Sequence, residues 1–92
     1  MKIWLDDIRK APKGYAWCHS VNEAKHVIET SQEEVEFIDC DHDLGDYASD
    51  GGDGIKLLDY LVETENFIPI RLHTANIVGR MNMIRTINRY WR

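Results

Sequence analysis

Short apolar runs that end abruptly in polar or acidic residues alternate along this chain with longer amphipathic stretches. Lys2–Leu5 is an apolar run closed by Asp6-Asp7, and it predicts a first strand. Pro12 and Gly14 break the following segment, and the aromatic-rich Tyr15–His19 predicts a second strand after a short connection. Ser20 with Glu23 three residues on has capping-box spacing. Val21, Ala24, Val27 and Ile28 then share one face of a helix ending near Thr30. Val35–Cys40 predicts a third strand, and Ile55, Leu57, Leu58, Leu61 and Val62 mark a second helix with Asp53 near its start. Pro69–Leu72 predicts a fourth strand. Asn76 caps a last helix whose apolar face is expected to carry Ile77, Met81, Ile84, Ile87 and Trp91.

The predicted order is β-β-α-β-α-β-α in one domain spanning residues 1–92. Strands flanked by amphipathic helices argue for a mainly parallel α/β sheet, three-layered or partly open, with the third strand central. The connection between the first two strands is short for a parallel crossover. Strand two is therefore either antiparallel to strand one or reached by a tight extended return.

Three strand ends carry the candidate chemistry. The first ends in Asp6-Asp7, the third runs through Asp39, Asp41 and Asp43 with His42 between the last two, and the fourth ends His73-Thr74-Ala75-Asn76. Polar carboxyl ends of neighbouring strands form the ligand edge of an open α/β sheet. At strand spacing the three aspartates of the third run face one side, opposite Cys40, His42 and Leu44. Asp6, Asp7 and Asp41 at one edge would repel one another without a cation, and an oxygen-rich set of this kind suits Mg²⁺ or Mn²⁺. Thr74 and Ala75 offer a hydroxyl and a backbone amide for a phosphoryl oxygen. His42 or His73 could serve as general acid or base. Neither a Walker A sequence nor a nucleophile elbow is present.

Charge sharpens this picture. The net charge is −5, yet Glu29–Glu65 holds thirteen acids against Lys56 alone, whereas Ile77–Arg92 holds four arginines and no acid. The first segment suggests a cation site. The second suggests a phosphate-facing last helix, with Arg80 near its start beside the site and Arg85 and Arg89 available to a longer RNA, or else cations that serve the helix dipole and solubility. No apolar run approaches the roughly 20 residues of a bilayer span, and no signal-peptide core precedes the first strand, so no membrane association and a cytoplasmic location are expected. Cys18 and Cys40 lack C-x-x-C spacing and read as reduced core residues.

Asp6-Asp7, Asp41-x-Asp43-Leu44-Gly45, Asp53-Gly54 and Thr74-Ala75, in that order, resemble the receiver domain of two-component response regulators. The resemblance implies a compact flavodoxin-like fold in which Asp6, Asp7 and Asp41 hold Mg²⁺ and Asp41 accepts a phosphoryl group. It implies that Thr74-Ala75 contacts that group and that Asp43 supplies a metal ligand through its carbonyl. The chain departs from a full receiver in lacking the first helix, the fifth strand and its lysine, leaving four strands and three helices.

A finer pattern, Leu5-Asp6-Asp7-Ile8-Arg9, Asp41 to Gly45 and His73 to Met83, is similar to the cyclic-phosphate-processing receiver domains, a compact receiver-like family of mostly bacterial and phage origin. That resemblance implies action on cyclic phosphate ends, and Arg9, His42, His73, Asn76, Arg80 and Asn82 fit a bound phosphodiester. The expected function is a metal-dependent phosphoesterase. Asp41, His42, His73 and Thr74 would be catalytic, with Arg9, Thr74, Ala75, Asn76 and Arg80 on phosphate and Asp6, Asp7, Asp41 and Asp43 on the metal. Its partner would be a phosphate-containing small molecule or an RNA end. The alternatives are a phosphoacceptor or phosphate-sensing module, and an inactive receiver scaffold for a protein partner.

Overall fold

The strands alternate buried and open residues with a period of two, which settles which side of the sheet meets the core. In a computed structural model that describes residues 1–91, β1 (Lys2–Leu5) turns Ile3 and Leu5 inward and Lys2 and Trp4 outward. β3 (Phe37–Cys40) buries Ile38 and Cys40 and leaves Phe37 and Asp39 on the other side. β2 spans Tyr15–Cys18 and β4 spans Ile70–Leu72. The four strands form one sheet of order β2-β1-β3-β4, parallel throughout. β1 and β3 are the two inner strands. The third strand begins at Phe37, two residues later than the apolar run suggested.

The short β1–β2 connection is thus the tight extended return, and parallel. Strand order explains its position. Passing from β1 to β2 runs across the sheet in the opposite sense to passing from β2 to β3 or β3 to β4, so right-handed connections put it on the face opposite the helices. Two indoles on that face bind its backbone, Trp4 Nε1 donating to Arg9 O at 2.8 Å and Trp17 Nε1 to Asp6 O at 2.7 Å.

The helices share the other face. α1 (Val21–Thr30) starts at Ser20, whose hydroxyl accepts from Glu23 N at 3.0 Å, while Glu23 reaches back to His19 N at 3.1 Å. α2 (Gly54–Glu63) buries Leu57, Leu58 and Leu61, each worth about 1.5–3 kcal/mol of transfer free energy. α3 (Ile77–Tyr90) starts at Asn76, whose side chain accepts from Gly79 N at 3.0 Å. α1 packs on α2 and α2 on α3. Val21, Ala24, the three leucines and Met83 close one core with Ile3, Leu5, Ile38 and both cysteines. The architecture is therefore open, with helices on one side of the sheet.

One local reading changes. The apolar face assigned to α3 is largely outward: Ile77 is 75%, Met81 57% and Ile84 36% exposed. Gly79 and Met83 face the core instead, with Ile87 and Trp91 packed beside them. The connection from β3 to α2 contains a 3₁₀ turn, Gly45–Ser49. No helix among the described residues is long and apolar enough to cross a membrane. Arg92 of the basic segment lies outside the described residues.

Candidate functional site

Register alone assembles the edge. Leu5 is level with Cys18 and with Cys40, and Cys40 is level with Leu72. The next residues across the sheet are therefore His19, Asp6, Asp41 and His73. The ladder holds three of them for one residue more: Asp6 N donates to Cys18 O at 3.1 Å, Asp41 N to Leu5 O at 2.9 Å and His73 N to Cys40 O at 3.1 Å. Asp6, Asp41 and His73 consequently present ligating atoms within 4.8 Å of one another.

Asp6 is the anchor, 1% exposed. Its Oδ1 accepts from Ile8 N at 2.9 Å and Arg9 N at 2.8 Å, and its Oδ2 lies 2.9 Å from His73 Nε2. Burial works against its charge, but those two amides and His73 outweigh it and hold the carboxyl below its ordinary value. The same bonds pull the Asp6–Arg9 segment into a turn and set Arg9 beside the site, its Nη1 donating to His73 O at 3.4 Å. Asp7 behaves oppositely. Partial burial, with Asp6, Asp41 and Asp43 nearby, pushes its carboxyl up. A Cβ at Gly45 would stand 2.5 Å from Asp7 Oδ2, so the glycine of Asp-Leu-Gly is needed for that close approach, and its φ of 54° suits glycine as well.

His73 is clamped. Its Nδ1 lies 2.6 Å from Asp39 Oδ1, and Trp4 stacks flat on the ring with centroids 3.9 Å apart. Both ring nitrogens are thereby engaged by carboxylates, Nδ1 by Asp39 and Nε2 by Asp6. Trp4 does not stand among the residues expected at the site, and Asp39, one of the three aspartates of its run, has no role assigned there. The signal was the two-residue period, which puts Trp4 under Asp6 and Asp39 under Asp41 on one face.

Asp43 leaves this group. Its Oδ1 lies 2.7 Å from His42 Nδ1, and Asn76 Nδ2 donates to its two oxygens at 2.9 and 3.2 Å. Those bonds, His42 first, hold the Asp43 carboxyl below its ordinary value. Asn76 thus commits its amide to Asp43 and to the α3 cap. The His42 ring lies against Gly79, where any Cβ would collide with it. His42, Asp43 and Asp53 form a second group of closely spaced donors. Asp53 also closes the long loop by accepting from Leu44 N at 3.1 Å. Thr74 Oγ1 accepts from Asn76 N at 3.1 Å, and Ala75 is exposed next to it. Arg80 and Asn82 are exposed on α3, while Arg85 and Arg89 line the groove between α3 and α2 with Asp59 and Glu63.

The donor set fits a hard divalent cation. Asp6 and Asp41 supply carboxylate oxygens, Asp7 stands beside them with its charge disfavoured by its neighbours, and no thiolate is present to select a soft metal. The Arg9 guanidinium and the Thr74 hydroxyl flank the same edge.

No curated protein and no solved structure matches this chain. The family model of the cyclic-phosphate processing receiver domain matches residues 1–89 of the 92, and the chain belongs to that family.

Proposed function

We propose that this domain is a divalent-metal-dependent phosphoesterase acting on cyclic phosphate or phosphodiester ends of nucleotides or RNA, with Mg²⁺ or Mn²⁺ as cofactor. The observation that carries it is the convergence of Asp6, Asp41 and His73 within 4.8 Å at three neighbouring strand ends. Asp6, Asp7 and Asp41 would hold the cation through their carboxylates, with Asp43 contributing its backbone carbonyl. The bound cation supplies Lewis-acid polarisation of a phosphoryl oxygen and a more acidic water.

The protein's own groups do the rest. Arg9, held at His73, neutralises phosphate charge, and Arg80 on α3 extends that role. The Thr74 hydroxyl and Ala75 amide donate to phosphoryl oxygens, an arrangement worth most where charge builds up in the transition state. His73, clamped between Asp6 and Asp39, would pass a proton to the leaving oxygen from Nε2, the nitrogen that lies on Asp6 at the edge. His42, fixed by Asp43 through Nδ1, is the candidate to take the proton of water.

A second reading follows from Asp41 itself, a half-buried carboxylate at the end of an inner strand: a phosphoacceptor or phosphate-sensing module that adds no turnover. Incubation with Mn²⁺ and a panel of 2′,3′-cyclic nucleotides, in parallel with a small phosphodonor and mass detection, separates the two. Turnover of cyclic phosphates supports the esterase. A stable added phosphoryl group without turnover supports the module and overturns the esterase.

A further inference from the structure

The sheet has one face that no helix covers, and that face is aromatic and cationic. Lys2, Trp4, Tyr15, Trp17, Phe37, Asp39 and Arg71 alternate with the residues of the core, and all are exposed or half-buried. Tyr15 meets Trp4 and Phe37 edge-on, with centroids 6.0 and 5.8 Å apart. Lys2 Nζ stands 5.7 and 5.9 Å from the Tyr15 and Phe37 ring centres, and the Arg71 guanidinium lies 3.9 Å from that of Phe37. At the carboxyl end this layer runs without a break into the site, because Trp4 stacks on His73.

Charge says what such a face fits. The β1–β2 return crosses it carrying Arg9, Lys10 and Lys13, all exposed. From Met1 to His19 the acids are Asp6 and Asp7 alone, at the edge itself. Asp39, the remaining acid on the face, is taken by His73. The acids of the protein lie mostly elsewhere, so this face is cationic on a chain of net charge −5. A second copy would set one cationic face against another. By contrast, Arg85 and Arg89 of α3 share their groove with Asp59 and Glu63.

We propose that single-stranded RNA lies along this open sheet face, with its terminal phosphate at the acidic edge. The proposal rests on the phosphoesterase reading and narrows its substrate from nucleotides in general to RNA chains. Aromatic rings stack bases without regard to sequence, and lysine and arginine on the same face meet the phosphates. Each β1 residue advances the strand by about 3.3 Å, so from Lys2 to the edge at Asp6 the face is about 13 Å long, room for a short run of nucleotides.

The test measures binding of a labelled RNA hexamer ending in a 3′-monophosphate, and of the matching nucleoside 3′-monophosphate, in Mg²⁺ over a range of salt. The wild-type protein should bind the hexamer at least about tenfold more tightly than the mononucleotide at low salt, since several phosphate contacts add to one. The double variant Lys2→Ala with Arg71→Ala should lower the salt slope by about 1.4, or 0.7 for each lost contact to a single strand, and leave the mononucleotide within about twofold. Phe37→Leu should weaken the hexamer about fivefold or more with the slope unchanged. Equal affinity for hexamer and mononucleotide overturns the proposal, and so does an unchanged slope in the double variant. A wild-type dimer dissolved by that double variant would give the face to a second copy. Hexamer binding that depends on Lys2 and Arg71, with no turnover of any cyclic phosphate, keeps this surface and removes the esterase. Turnover that is indifferent to chain length and to the face variants does the reverse.

Discussion

Trp4 lies flat on His73, ring planes 4° apart and centroids separated by 3.9 Å, so the first strand fixes a side chain delivered by the fourth. The indole is itself held, through Nε1 to Arg9 O. Replacing Trp4 by Leu removes the stack and that hydrogen bond together. A loss of about 1–3 kcal/mol of stability is expected. If His73 acts in the reaction, kcat should fall more than KM rises, and the His73 ring protons should lose their ring-current shift. Unchanged His73 shifts would show that the stack is absent in solution.

The two outward-facing and inward-facing methionines of α3 test the reassigned helix face. Met83 is fully buried and Met81 is 57% exposed. Met83→Ala should destabilise by about 2–5 kcal/mol, as large-to-small core changes do. Met81→Ala should stay within about 0.5 kcal/mol. Denaturant unfolding of the two variants decides it, and equal losses would contradict the described packing.

Both thiols are core groups. Burial pushes the Cys18 thiol up to about 12, and burial also pushes Cys40 up. Since the thiolate is the reactive species, native protein at neutral pH should resist alkylation, while unfolded protein should react at both positions. Mass spectrometry after a short iodoacetamide pulse, with and without denaturant, checks this.

The acidic edge predicts how pH and cations combine. The Asp7 carboxyl is raised in the native state, so ionising it disfavours the fold: its contribution is best in acid and worsens as pH rises through that raised value. Asp6 and Asp43 are lowered and act with the opposite sign, their contribution being lost as pH falls through their native values. A bound cation offsets the repulsion around Asp7. Its stabilising effect should therefore be small in acid and grow as pH rises through the carboxylate range. At a hundredfold excess over Kd it reaches about 2.7 kcal/mol. Thermal melts with and without Mg²⁺ should show Asp7→Asn more stable than wild type without metal and Asp41→Asn with most of the rise lost. The same rise in both variants would place the cation elsewhere.

The sequence showed the edge more clearly than the walls around it. Apolar runs ending in Asp6, Asp41 and His73 were visible because strands end where their apolar pattern ends, and parallel pairing in register then levels those ends. The Ser20–Glu23 cap was legible for the same local reason. Whether β2 ran parallel was not legible, since it depends on which face the return crosses, a matter of tertiary packing. The α3 face was misread because Gly79 carries no hydrophobic signal, yet only a glycine lets the helix approach His42. The clamp of Trp4 and Asp39 on His73 joins residues more than thirty positions apart: the period of two gives each its face, and only the strand order brings them together.

The central claim is tested most directly by ³¹P NMR of a nucleoside 2′,3′-cyclic phosphate incubated with the protein and Mg²⁺. The account predicts steady conversion of the cyclic signal to a phosphomonoester signal, stopped by chelation and lost in Asp41→Asn, a variant that should remain folded because Asn keeps an acceptor for His42 N. A cyclic signal that persists with folded, Mg²⁺-loaded wild-type protein, for mononucleotides and for RNA ends alike, would contradict it.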